Sequence, residues 1–560
     1  MNYIKRHPDL AASVVLVAAV LFYAARFINF NVPPVEDAAM LMRYADHLAH
    51  GYGIVWNIGE HPVDGATDFL FMASAAALIK VGIPVGRSVR ILGFGAHILT
   101  VLLVYFVNRR IWKAGIVVSF LAGLFLAVGN GLPYVAAFFG TPFFALFAAL
   151  TWTFGLLLIQ RDHPPFWLAL SFALTGLLTG LIRPEGVILA GLMLLAVVVM
   201  KGWRASTRII LTFAAVFLVL GGAYFLWRWN YFGYPLPNPF YKKGGGILHM
   251  DSFQESIGNM FRLAAPFWLA FVLSLRSSKT TKQALAFLIP IAGFAGAFVL
   301  ISNEMNFGGR FQYALVPVIL LSWYPLVDGL DREIGFSWSF MTAPVPPGLG
   351  QGRDLRSRVA WIAAVVVASF MLVFYSSFQK CYLMTGQQSC DQPVKGDGRY
   401  GVASILSDYQ GKGYVIATSE AGLLPFYSGW TAIDTWGLND PWIAHNGDIT
   451  PQYLDQYKPN LIVFHAYYSP LVPPRLIDKN LSQDWFRMTI ILKDYAESHG
   501  YILAAVFGDS PYDTHYYYVR SDFADSRKIL EAIVRFGQYK GYVWELTGKK
   551  SINYAEFSKP

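Results

Sequence analysis

Two adjacent carboxylates, Glu36 and Asp37, stand just past the first long apolar run of this 560-residue chain, in the stretch FINFNVPPVEDAAMLMRYADHLAHGYGIVWNIGE. Charge beside hydrocarbon is expensive, so ionisable groups that persist there point to function. An ionised carboxylate at that depth can accept the proton of an attacking hydroxyl. Glu36 and Asp37 are both candidates for that base. Cations able to answer an anionic leaving group come later in the chain, at Arg183, Lys242, Lys243 and Arg310. Guanidinium and ammonium groups stabilise such charge as it develops.

The elements that must position these residues follow from composition. Hydrophobic residues make up 55% of the chain and charged residues 14%, and the mean hydropathy is +0.42. That is too apolar for a soluble chain of this length and fits a polytopic α-helical membrane protein. The aromatic fraction, 16%, suits membrane interfaces and stacking on sugars or isoprenoid chains. The net charge of +9 is no sign of nucleic acid, because much of it lies in short clusters between apolar runs, where it sets topology. Lys5 and Arg6 precede the first run, and no small-residue cleavage site follows before Phe30. The run therefore reads as a retained anchor with a cytoplasmic N-terminus.

A helix crosses a bilayer with ~20 mainly apolar residues. Eleven segments fit: 9–29, 88–108, 113–130, 142–160, 166–183, 186–201, 207–228, 262–276, 283–302, 311–328 and 358–378. The basic clusters NRRIWK at 108–113, KGWRASTR at 201–208, RSSKTTK at 276–282 and GRDLRSR at 352–358 then all face the cytoplasm. Counting DFLFMASAAALIKVG at 68–82 as a further span would turn those clusters outward, so it is assigned to a juxtamembrane or re-entrant helix on the outer face. That face then carries 30–87, 131–141, the turn Arg183-Pro184-Glu185-Gly186, 229–261, 303–310 and everything after 378. The inner segment 329–357, with FMTAPVPPGLGQG, reads as a flexible linker.

From about 379 the pattern changes. Short β-like runs appear at 414–418, 461–466, 502–508 and 516–520, separated by helical patterns such as DWFRMTIILKDYAESHG and SRKILEAIVRFG. Alternating strands and helices predict a compact C-terminal α/β domain over 379–560, outside the membrane, beside a transmembrane domain over 1–378. Cys381 and Cys390, the only cysteines, open that domain; on an oxidising face they predict a small disulfide loop, and two free thiols are the alternative. No internal repeat, zinc-ligand spacing, P-loop or dinucleotide fingerprint is present.

The first outer loop resembles that of the GT-C glycosyltransferases, and most nearly the branch containing the mycobacterial terminal arabinofuranosyltransferases. Carrying the resemblance are Glu36-Asp37, Arg43-Tyr44, Gly51-Tyr52-Gly53, Asn57-Ile58-Gly59-Glu60 and Thr67 ahead of an apolar helix. Further on, Arg183-Pro184-Glu185-Gly186, YFGYPLPNPFYKK with Pro237-Asn238, Gly309-Arg310-Phe311 and EAGLLPFYSGWTAIDTWGLND add to it. The chain departs from the branch in opening with Glu rather than Asp, which favours Asp37 as the base.

The resemblance implies a GT-C fold of about eleven spans in a bacterial inner membrane, and an inverting transfer from a polyprenyl-phosphate sugar, possible sugars including arabinofuranose. The acceptor would be a glycan, lipid or glycoprotein. It implies donor phosphate contacts at Arg310, Arg183, Lys242 and Lys243, and substrate contacts at Arg43, Tyr44, Glu60, Thr67, Glu185 and Asn238. Metal-free chemistry is expected, since a phosphate monoester needs less neutralisation than a diphosphate. Membrane lipids are the other expected partners, and nucleic acid is not one.

Each residue also has a plainer role. Asp37 could cap a helix beginning near Ala38. Arg43 could snorkel. Arg183 and Glu185 could pair at the break made by Pro184, and Lys242 and Lys243 could meet headgroups. His61 and His465 read as structural histidines, and Trp430, Trp436 and Trp442 as core rather than a sugar platform. Transfer of aminoarabinose or mannose on the same scaffold is an alternative activity. A transporter of lipid-linked sugars is another, though it would place ionisable groups at the midplane of facing spans.

Overall fold

The computed structural model describes residues 7–28, 30–129, 131–243, 245–334, 398–466, 469, 471, 483–507 and 514–540. The expected eleventh span, the thiols Cys381 and Cys390, most of the 329–357 linker and the chain beyond 540 lie outside these residues.

The first ten expected spans each have a helical counterpart. Among the described residues, six continuous helical runs are long and apolar enough to cross a membrane: Pro8–Arg26, Val85–Ile111, Ile116–Ala136, Thr141–Gln160, Trp203–Phe232 and Thr281–Val299. Shorter apolar helices cover Phe166–Ile182, Gly186–Lys201 and Leu315–Leu330. The first helix starts with Pro8 in its opening turn, where a missing N–H is harmless, and with Asp9 near its positive end. Asp9 also takes hydrogen bonds from Tyr105 and Arg109, which fastens this helix to the end of Val85–Phe106.

One segment differs from the sequence reading. Residues 262–276 do not form a continuous helix: Met250–Leu263 and Ala265–Ser274 meet at an angle of 77°. Pro266 explains the break, since its ring and missing N–H interrupt the helical ladder. The apolar stretch at 68–82 is the helix Phe69–Lys80, whose 12 residues span only about 18 Å at the rise of an α-helix.

The C-terminal domain is a five-stranded sheet in the order β2-β1-β3-β5-β4 with helices around it. β1 (Val415–Thr418), β2 (Thr431–Asp434) and β3 (Leu461–His465) are parallel; β5 (His515–Arg520) joins β3 and β4 (Tyr501–Phe507) antiparallel. β2 was not among the strands expected, because TAID is four residues long and follows Trp430 without a clear alternation. The run LIVFH of β3 is apolar on both faces, as a central strand must be.

One apolar core runs through both parts, joining Met42 and Trp56 of the first loop to Leu424 and Trp430 of the C-terminal domain. Trp430 and Trp436 are buried, as core residues should be, while Trp442 is exposed and stacks on Tyr453 at 4.5 Å.

Candidate active site

The helix Glu36–Ala49 begins at Glu36, its cap residue is the extended Val35, and no side chain caps it. Asp37 therefore lies inside the first turn and does not act as the cap. Both carboxylates sit where the helix dipole favours negative charge, and about 100° of helical rotation sends them apart.

Asp37 turns to Arg310, whose Nη2 donates to Asp37 Oδ2. Its side chain is 30% exposed while that of Arg310 is 8% exposed, so the carboxylate remains reachable and the cation is sunk. Arg310 lies over the Phe139 ring at 4.0 Å and near Phe311 at 4.9 Å. Its Nε is buried without a hydrogen-bond partner among the described residues.

Local backbone chemistry puts Arg310 there. Gly308 (φ 64°) and Gly309 (φ 81°) take left-handed conformations that side chains resist. The turn is braced by Asn306 and Gln312: Asn306 Nδ2 donates to Gln312 Oε1 at 2.7 Å, and Phe311 N donates to Asn306 Oδ1 at 3.0 Å.

Arg183 shares the Phe311 ring, at 4.6 Å. It bonds Glu185 at 2.6 Å and Asp68 at 3.2 Å. The Arg183–Glu185 ion pair is thus present, with Asp68 as a second acceptor. Asp68 precedes the helix Phe69–Lys80 without capping it, and burial raises its carboxyl while Arg183 opposes the shift.

Glu36 turns the other way, to the C-terminal domain. Its Oε1 accepts from the backbone N–H groups of Gly422 and Leu423, and its Oε2 is 3.5 Å from Arg399. A Cβ at position 422 would collide with the Glu36 carbonyl, so only glycine permits this approach.

Arg43 is 5% exposed and bonds Trp56 O, Asn57 Oδ1, Pro425 O and Trp430 O. Tyr44 donates to Asn439 Oδ1 at 2.9 Å. These two expected substrate contacts hold the first loop to the C-terminal domain. Glu60 accepts from Asn57 at 2.9 Å, and Thr67 is half-buried. Asn238 is buried, its backbone N–H donates to Asp64 O, and its Nδ2 has no partner among the described residues. Lys242 lies 4.4 Å over the Trp436 ring, and burial lowers its ammonium; Lys243 is 3.7 Å from Glu304, in the loop that leads to Arg310.

Sequence reasoning had Asp64, with Glu60, as a reserve candidate for the base, but missed its partner Arg228, and missed Asp68, Arg399 and Glu420. Burial raises Asp64 while Arg228 opposes it. Asp64 and Asp68 stand in the same loop as Asp37, and two more acids so close to an apolar helix were a usable signal.

A cavity of about 410 Å³ opens beside the loop 30–34, lined by Phe30, Pro33, Met42, Arg90, Phe138 and Tyr427. Arg90 lies over Phe138 at 4.3 Å, one residue from the Phe139 that supports Arg310.

The chain has the GT-C fold, a bundle of membrane helices with a smaller C-terminal domain. Oligosaccharyltransferase AglB from Archaeoglobus fulgidus, solved with an inhibitory peptide and a dolichol-phosphate, is similar in structure. It has 10% identity and a TM-score of 0.53, over 97% of this chain and 79% of that one. ArnT from Cupriavidus metallidurans, solved bound to undecaprenyl phosphate, has 14% identity and a TM-score of 0.55, over 91% of this chain and 98% of that one. A family described as "Domain of unknown function (DUF8728)" matches residues 391–525. No curated protein matches the chain by sequence.

Proposed function

We propose that this chain is an inverting glycosyltransferase that moves a sugar from a polyprenyl-phosphate donor to a hydroxyl of a cell-envelope glycan, lipid or protein. The transfer takes place on the outer face of a bacterial inner membrane. The observation that carries the reading is the Asp37–Arg310 pair: a reachable carboxylate joined to a sunken guanidinium with an uncommitted N–H. AglB and ArnT, solved with dolichol-phosphate and undecaprenyl phosphate, support a lipid phosphate as the carrier.

In this mechanism the donor phosphate approaches from the reachable Asp37 side and competes with Asp37 for the Arg310 guanidinium. Asp37 is released as the phosphate arrives. It then accepts the acceptor's hydroxyl proton while that oxygen attacks the anomeric carbon. The sugar–phosphate bond breaks on the opposite side, inverting the centre, and Arg310 stabilises the departing phosphate. Arg183, on the other side of Phe311, adds a second positive field. The cavity at Phe30 and Arg90 would take the first isoprene units.

The sequence resemblance makes arabinofuranose one candidate sugar. Purified protein given radiolabelled polyprenyl-phosphate sugars and acceptor glycans tests the reading. Transfer with inversion is expected; absence of transfer from every polyprenyl-phosphate sugar, with folded protein, would overturn it.

A further inference from the structure

Outside the proposed transfer site, three side chains from three separate parts of the C-terminal domain converge on one point. Glu420 follows the end of β1, His465 ends β3 and His515 begins β5. His465 and His515 are directly opposite in the antiparallel ladder. Glu420 Oε1 is 3.4 Å from His465 Nδ1 and 3.5 Å from His515 Nε2, and the three ligand atoms all lie within 4.8 Å of one another. The site is sheltered: His515 is 1% exposed.

We propose that Glu420, His465 and His515 form a binding site for a divalent transition-metal cation of the zinc class. Zinc takes imidazole nitrogen and carboxylate oxygen at about 2.0–2.2 Å, and two His with one Glu is a ligand set it uses. The ligand atoms of a tetrahedral ion at that bond length stand about 3.4 Å apart. Both Glu–His separations are close to this value, at 3.4 and 3.5 Å; the His465 and His515 rings are stacked, 4.5 Å between centroids and 9° between planes, and must turn for both nitrogens to point at one cation.

The surroundings suit a cation. Arg399 donates to the other oxygen, Glu420 Oε2, at 2.7 Å, which leaves Oε1 aimed at the histidines. Such outer partners orient ligating carboxylates. Arg399 is also 3.5 Å from Glu36. Two carboxylates against one guanidinium leave an excess negative charge when both imidazoles are neutral, so a divalent ion is attracted rather than repelled.

The site has a consequence for the transfer site. Glu420 lies two residues before Gly422, whose backbone N–H grips Glu36. A cation on Glu420 would fix the loop that holds the Glu36–Asp37 turn, making Glu420 a positioning residue.

Full-length protein in detergent, stripped with chelator and desalted, is titrated with zinc chloride, and bound zinc is counted by mass spectrometry. Wild type is expected to hold one equivalent. His465→Ala and His515→Ala should each weaken zinc binding more than about tenfold, while the exposed His61→Ala should keep it. Wild type needs no variant to fold: if it takes up less than stoichiometric zinc, Glu420 is only a shared acceptor for two imidazoles and the proposal is overturned. Zinc retained at full affinity by both alanine variants overturns it equally. Cobalt(II) in place of zinc should give the visible bands of a tetrahedral nitrogen–oxygen site in wild type, and a spectrum of six-coordinate aqueous cobalt would count against it.

Discussion

Glu36 accepts a hydrogen bond from the backbone N–H of Gly422, which lies 386 residues further along the chain. Its neighbour Asp37 meets Arg310 instead. Adjacent carboxylates on one helical turn are thus divided between the two domains, and their substitutions should separate. Asp37→Asn keeps the shape but cannot accept a proton, so turnover should fall on the order of 10²–10⁴-fold. Glu36→Gln keeps an acceptor for Gly422 and weakens only the contact with Arg399. A rate loss within roughly tenfold, smaller than that of Asp37→Asn, is expected. Transfer of radiolabelled sugar by purified protein measures both. Near-wild-type transfer by Asp37→Asn would place the base elsewhere.

Arg310→Ala should weaken donor engagement as well as turnover, because its charge meets the phosphate in the ground state and in the transition state. Arg310→Lys should recover little, since the buried Nε and the Asp37 contact use the fork of the guanidinium. Binding of a polyprenyl-phosphate analogue in nanodiscs reads the first effect. Unchanged binding together with unchanged activity would remove Arg310 from the site.

How much of this was legible depended on sequence distance. Apolar runs and basic clusters located ten helices, because span length and flanking charge are local properties. Pro266 broke one of them, a signal that a hydropathy window smooths over. Asp37 and Arg310 were legible as types of residue in suspicious places, but their meeting was not, since 273 residues separate them. Arg43 showed the opposite failure. Beside Tyr44 it looked like a ligand contact, yet its guanidinium is spent on four oxygens, two of them carbonyls of the C-terminal domain. His465 read as a lone histidine because its partners Glu420 and His515 are 45 and 50 residues away, a spacing that matches no zinc motif and arises only when β3 pairs with β5.

Arg43 accordingly predicts a stability effect. Arg43→Ala leaves buried oxygens without donors and removes the cation from the face of Trp56, 4.9 Å away. A loss of about 2–4 kcal/mol is expected. Arg43→Lys should not restore it, because an ammonium cannot reproduce the spread of donors. Thermal denaturation in detergent, with limited proteolysis of the C-terminal domain, is the measurement. A melting temperature equal to wild type would show that the two domains are held by other contacts.

Asp434 predicts a pH dependence. It is fully buried, and its carboxylate accepts from the backbone N–H groups of Trp436, Gly437 and Asn439. Burial pushes the carboxyl up to about 6, against 3.8 for a free side chain, despite these bonds. The folded state therefore holds this proton more tightly than the unfolded state. The stabilisation is complete below the unfolded value and is lost as pH rises through about 6. Lowering the pH from 7 to 5 should stabilise the fold by about 1 kcal/mol through this group. Melting temperatures across that range are compared with Asp434→Asn, whose titration is abolished. Equal pH slopes in the two proteins would show that Asp434 does not titrate there.

The final prediction concerns sidedness. Arg43 bonds the carbonyl oxygens of Pro425 and Trp430, so the first loop and the C-terminal domain share one face of the membrane. The chain between them must then cross an even number of times. The ten expected spans from 88–108 to 358–378 satisfy this when the bent pair Met250–Leu263 and Ala265–Ser274 counts as one crossing, and adding 68–82 as an eleventh after the first would not. The same contact puts the N-terminus, on the far side of the helix Pro8–Phe27, opposite the tail. By the positive-inside rule, the basic clusters at 108–113 and 201–208 predict that the far side is the cytoplasm. Single cysteines at Gly348 and Ser551, in a background lacking Cys381 and Cys390, can be labelled in intact and in opened cells. Ser551→Cys should react with an impermeant reagent from outside and Gly348→Cys only after the membrane is opened. Labelling of both from the same side would break the parity argument, and Ser551→Cys reacting only from the cytoplasm would reverse the orientation and move Asp37 to the inner face.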